Sequence, residues 1–187
     1  LLIDRERGYR RGESEALGNL GIVYGDLGES KRSIELYEQS LAISREIGHR
    51  LHEGNTLDNL GVAFADMGEH QRAIELHQQA LSIRREIGDI PGEANTLNNL
   101  AGVYVGLNLG KNQQAIELFA QALRIYRELN NRPREATVLL NLAVAWNKLG
   151  DRVQAIVFAE AALVILEQIE DPYAANVRKQ LEKWRSE

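Results

Sequence analysis

Residues 17–29 read LGNLGIVYGDLGE, a stretch in which four glycines interrupt residues set at helical intervals. Leu17, Leu20, Tyr24 and Leu27 fall at i, i+3, i+7 and i+10, which places them on one face of a helix. Glycine costs roughly 1 kcal/mol at each interior helical position relative to alanine, so packing must hold this segment where propensity does not. The stretch also returns: LDNLGVAFADMGE at 57–69, LNNLAGVYVGLNLG at 97–110 and LLNLAVAWNKLGD at 139–151. After each copy comes a second block, SIELYEQSLAISREIG (33–48), AIELHQQALSIRREIG (73–88), AIELFAQALRIYRELN (115–130) and AIVFAEAALVILEQIE (155–170). The chain therefore holds four copies of a two-segment unit with a period of 40, and two extra residues near Asn108 and Leu109.

Both segments are amphipathic, Ile34, Tyr37, Leu41 and Ile43 forming the broad apolar face of the second. Gly28, Gly68, Gly110 and Gly150 stand where a helix wants a left-handed residue beyond its end. Pro91, Pro133 and Pro172 stand where the next unit begins, and Asp171-Pro172 reads as an N-cap followed by a first helical residue. The expected fold is all-α: an α-solenoid of stacked antiparallel helix hairpins, each contacting its neighbours. Residues 11–50, 51–90, 91–132 and 133–171 are the four repeats of a single array. Residues 1–10 overlay 41–50 and read as the end of the second helix of a preceding repeat, so the chain is expected to be a piece of a longer array. Val177, Leu181 and Trp184 stripe the segment 172–187, which reads as a capping helix.

With 22 basic and 27 acidic side chains the net charge is −5, which offers no general attraction to nucleic acid or an anionic membrane. No cysteine is present, which excludes disulfides and thiolate chemistry and suits an intracellular, cytoplasmic protein. No cofactor or metal site is expected: His49 and His52 flank a turn, His70 lies in another, His77 takes a core slot, and none has a recurring carboxylate partner. No nucleophile and base pair recurs, so an enzyme is not expected.

The unit resembles the tetratricopeptide repeat, W-x₂-L-G-x₂-Y followed by A-x₃-F. The first part runs Leu17, Leu20, Gly21, Tyr24; Leu57, Leu60, Gly61, Phe64; Leu97, Leu100, Ala101, Tyr104; and Leu139, Leu142, Ala143, Trp146. The second runs Ser33, Tyr37, Ser40; Ala73, His77, Ala80; Ala115, Phe119, Ala122; and Ala155, Ala159, Ala162. The long period resembles that of kinesin light chains, of Pins/LGN-type spindle-orientation scaffolds and of sensor arrays on signalling ATPases. HEAT and armadillo repeats share the period but lack the alternation of small and aromatic residues.

The resemblance implies a superhelix whose first helices line a concave surface. By motif position that surface holds Asn55 and Asn95; Gly18, Asp58, Asn98 and Leu140; Asn19, Asn59, Asn99 and Asn141; Ile22, Val62 and Val144; and Asp26, Asp66 and Lys148. The asparagine row stands out, because asparagine is a mediocre helix former while its amide both donates and accepts. It either matches the backbone of an extended peptide, as the resemblance to the spindle-orientation and kinesin families implies, or ties neighbouring repeats together. The expected function is a non-catalytic protein-protein interaction scaffold that binds an extended peptide or a partner helix in its concave groove, its partner a protein or peptide with a neutral to basic segment. The alternative is the sensor or spacer arm of a multidomain signalling protein that acts by self-association. Recurring Arg5-Glu6, Arg45-Glu46, Arg85-Glu86 and Arg127-Glu128 read as surface or inter-repeat ion pairs.

Overall fold

The repeated blocks are helices closed by turns in the computed structural model of the protein, which describes residues 2–107 and 111–186. In chain order the helices are α1 (Leu2–Asp26), α2 (Ser30–Glu46), α3 (Arg50–Asp66), α4 (His70–Ile87), α5 (Ile90–Gly106), α6 (Asn112–Glu128), α7 (Arg132–Leu149), α8 (Arg152–Gln168) and α9 (Ala174–Ser186). No strand occurs among the described residues, and no helix among them is long and apolar enough to cross a membrane. Asn108, Leu109 and Gly110, to which an insertion and a helix end were assigned above, lie outside the described residues.

The helices fall into two units, the first ending at Asn99 and the second beginning at Leu100. In the first, α1 packs on α2, α2 on α3 and α3 on α4, and α1 touches α3. Its centre is Leu57, Leu60, Phe64, Ala73 and Ile74. In the second, α6 packs on α7, α7 on α8 and α8 on α9, around Phe119, Leu139, Leu142, Ala155 and Ala162. Val177, Leu181 and Trp184 of α9 are buried, and Arg178 and Arg185 bind Glu167 and Glu160 of α8.

Gly28, Gly68 and Gly150 end the first helix of their hairpins at positive φ, and the second helices end the same way at Gly48, Gly88, Asn130 and Glu170. Glu170 adopts φ 55° without the freedom of glycine. No such break occurs at Gly8, the counterpart of Gly48: α1 runs unbroken through it, and a Cβ there would meet nothing within 4 Å among the described residues. Leu20 also departs from its motif, 47% exposed where Leu60 and Leu142 are 2% and 1%. Asp171 accepts from the Tyr173 amide in a turn, and α9 starts two residues later than the Asp-Pro signal implies.

The recurring arginines reach further than their neighbours in sequence. Arg45, Arg85 and Arg127 bind Glu53, Glu93 and Glu135 of the following helix at 2.9, 2.7 and 2.9 Å. Glu46 and Glu86 instead meet Arg10 and Arg50. Glu53 and Glu135 are buried, so these carboxylates belong to the hairpin junctions and not to the surface. The Arg5 side chain lies outside the described residues.

Candidate functional site

On the first-helix face of the first unit, a cleft of about 310 Å³ opens where α1, α2 and α3 meet. Ile22 and Val62 wall it, Asn59 borders it, and Asp26 and Asp66 stand exposed at its rim. The helical rise of 1.5 Å per residue puts Ile22 and Asp26, or Val62 and Asp66, one turn apart on one side of each helix. Neither carboxylate makes an ion pair or hydrogen bond among the described residues, so both face the opening with their charge uncompensated.

The second helix supplies residues that motif positions alone leave in the core. Ser30, Ser33 and Tyr37 of α2 line the cleft. Ser33 donates to the Gly21 carbonyl at 2.7 Å, which fixes its hydroxyl. Burial raises the pKa of the Tyr37 phenol, its side-chain contact with Ser33 opposes the rise and the charge of Asp26 adds to it, so the phenol stays neutral. Gly21 allows this approach: a Cβ on it would lie 2.6 Å from Tyr37 Cε1. The cleft thus offers apolar walls, an amide and two free carboxylates, a set that accepts an apolar stem with a neutral or cationic end.

Asp58 corrects the expected groove. It is 5% exposed and accepts from His77 Nδ1 at 2.9 Å, from Arg84 Nη2 at 2.8 Å and from the Thr96 hydroxyl at 2.6 Å. Arg84 also binds Asp89 and reaches the exposed Asn55, whose Oδ1 accepts at 3.0 Å. The whole row behaves alike: Gly18 is buried against the His52 ring, and Asn98 and Leu140 are half-buried. Residues one helical position away from an exposed row point toward the next hairpin, and spacing cannot tell the two rows apart. Only the polar residues on the inner faces of the second helices, Ser40, Ser44 and Arg84 among them, hint in the sequence at buried polar partners.

The preceding junction is polar as well, with Ser14, Ser40 and Ser44 buried together. His52 Nε2 lies 3.0 Å from Ser40 Oγ, a spacing that resembles a nucleophile and its base. The same nitrogen is 3.1 Å from the Ser14 carbonyl, which can only accept, so Nε2 carries the proton. Ser40 itself donates to that carbonyl at 2.8 Å, and the pair does not form an activated hydroxyl. His49 stacks on His52 with ring centroids 5.7 Å apart, and burial, then the charges of Arg11 and His52, lower its pKa. No group of three or more potential metal ligands occurs among the described residues.

Of the asparagine row, Asn19 is exposed and Asn59, Asn99 and Asn141 are half-buried. Asn19, Asn59 and Asn99 make no side-chain hydrogen bond among the described residues, whereas Asn141, Asn95 and Asn98 are engaged. In the second unit Val144 is exposed on this face and Lys148 donates to the Val105 carbonyl at 3.1 Å.

The sequence signature of the tetratricopeptide repeat matches residues 12–86 and 92–168. The chain belongs to the tetratricopeptide repeat family. No protein of curated function matches the sequence. Among solved structures it is similar to aspartyl phosphate phosphatase F from Bacillus subtilis, with a TM-score of 0.84 and 17% identity over 95% of this chain and 45% of that one. It is similar to a Rap protein complexed with competence and sporulation factor, with a TM-score of 0.77 and 16% identity over 90% of this chain and 47% of that one. A putative kinesin light chain from Podosopora anserina aligns with a TM-score of 0.71 and 19% identity over 92% and 94% of the two chains. The chain spans less than half of the first two, and identities this low establish the shared helical fold alone.

Proposed function

We propose that this tetratricopeptide repeat chain is a non-catalytic interaction module that binds an extended segment of a protein partner along its first-helix face. The observation that carries the reading is the row Asn19, Asn59 and Asn99, three amides in equivalent positions with no partner among the described residues. Asn141 is engaged by the protein, whereas amides kept free at a repeated position are suited to the N–H and C=O groups of an extended backbone. Asn55, Asn95 and Asn98 flank the row, already engaged by the protein. Ile22 and Val62 would take an apolar side chain, and Asp26 and Asp66 favour a neutral to basic segment. The Rap protein solved in complex with competence and sporulation factor supports the reading as an example of the same fold holding a ligand.

The test is affinity capture by the native chain and by the Asn59→Ala/Asn99→Ala double variant, with circular dichroism to check the fold. Loss of captured partner in the variant is expected, and an unchanged catch refutes the asparagine row. Binding should weaken as salt rises, because the rim charges are exposed. The second reading, an arm of a signalling protein that self-associates, is favoured by one observation on α8.

A further inference from the structure

The outer face of α8 differs from the same face of every other second helix. At the positions where α2 carries Lys31, Glu35, Gln39 and Ala42, α4 carries Gln71, Glu75, Gln79 and Ser82, and α6 carries Gln113, Glu117, Gln121 and Arg124, α8 carries Val153, Val157, Ala161 and Val164. The positions are exposed in the three earlier helices, and Val153, Val157 and Val164 remain 71%, 49% and 53% exposed. Intervals of four, four and three set them on one helical face about 16 Å long. The three valines stay open to solvent there, while Arg185 of α9 reaches Glu160 on the same face. On its flank the apolar surface continues into a cleft of about 390 Å³ between α6 and α8, lined by Ile116, Leu123, Leu142 and Phe158.

We propose that this face binds a second copy of the chain, α8 against α8 in antiparallel register. The patch carries no uncompensated charge: Glu160, the one acidic residue between Val153 and Val164, is bound by Arg185 at 2.5 Å. Two identical patches can therefore meet without burying an unpaired charge or opposing like charges. The spacing is close to its own reverse, so an antiparallel pair sets Val153 against Val164 and Val157 beside the small Ala161, where the helices approach most closely. Valine in a helix holds a single χ1 rotamer, which keeps the ordering cost low. Three valines and one alanine make less than the roughly 800 Å² per partner of a standard interface, so the dimer is weak and concentration-dependent. This surface shares no residue with the asparagine row, and its failure would leave the groove reading untouched.

Sedimentation equilibrium from about 5 to 500 µM tests it, a range that brackets the micromolar affinity expected of so small a patch. The native chain should rise from its monomer mass of 21.0 kDa toward twice that value. The variant Val153→Gln/Val157→Glu/Val164→Arg, which borrows the residues α6 carries at these positions, should stay monomeric with unchanged helical circular dichroism. The Asn59→Ala/Asn99→Ala variant should associate like the native chain. Because the chain lacks cysteine, a mixture of Val153→Cys and Val164→Cys chains should oxidise to mixed disulfide dimers in preference to either alone. A native chain that is monomeric throughout, a triple variant that still associates, an asparagine variant that does not, or preferential coupling of Val153→Cys with itself would each overturn the proposal.

Discussion

Gly61→Ala is expected to destabilise the protein although alanine is the better helix former. An ideal Cβ on Gly61 lies 2.6 Å from His77 Cε1, 2.7 Å from Nε2 and 2.9 Å from Nδ1. The ring cannot yield cheaply: His77 is fully buried and its Nδ1 is bound to Asp58 at 2.9 Å. Alanine returns about 1 kcal/mol of helix propensity. Overpacking costs about 1–3 kcal/mol, and weakening a hydrogen bond to a carboxylate costs about 1.5–3 kcal/mol. The balance is a loss of about 2 kcal/mol or more. In the His77→Ala background the obstruction is gone, and Gly61→Ala should then stabilise by about 1 kcal/mol. That pairing reproduces Ala143 and Ala159, which the fourth repeat carries at the same two positions. The coupling, about 3 kcal/mol, is read from urea denaturation of the four proteins followed by far-UV circular dichroism. Gly102→Ala is the control, since a Cβ there meets nothing within 4 Å and should only stabilise. Stabilisation by Gly61→Ala alone, or an equal effect in both backgrounds, would refute the close-approach argument.

Three further outcomes follow from the same geometry. Asp58→Ala should cost about 3–5 kcal/mol because it leaves Arg84 buried beside one fewer carboxylate, whereas Asp66→Ala at the open rim should change stability by less than about 0.5 kcal/mol; similar urea midpoints for the two would contradict their placement. Glu170→Gly relieves a left-handed residue and should add about 1 kcal/mol, seen as a rise of roughly 2–4 °C in Tm, with no rise arguing against strain at that turn. The lowered pKa of His49 means the unfolded chain binds its proton more readily, so stability falls as pH drops below about 6.5 toward the folded value. His49→Gln should remove that part of the decline between about pH 7 and pH 5, and an unaltered slope in urea midpoints against pH would exclude the residue as its source.

Much of the fold is legible in the repeated blocks. Leu57, Leu60 and Phe64 sit where periodicity puts them, and Gly28, Gly68 and Gly150 close their helices at positive φ. The site is legible only in part. Ile22, Val62, Asp26 and Asp66 reach the surface as motif position implies, but Asp58 does not, and Tyr37 and Ser33 join a cleft from a helix assigned to the core. A helical wheel gives an angle, and the boundary between a face that meets solvent and a face that meets the next hairpin falls within a single residue's turn of about 100°.

What the sequence determined by itself is the repeat, the helix hairpins and the family, because these follow from local periodicity and from glycine and proline at fixed offsets. Packing between hairpins decided the rest. It sequestered Asp58 with His77 and Arg84, left Leu20 open where its counterpart Leu60 is covered, and left the valines of α8 facing outward. Each depends on which atoms a neighbouring helix brings within a few ångströms, and that distance is set between segments some 20 to 40 residues apart, beyond the reach of any local pattern.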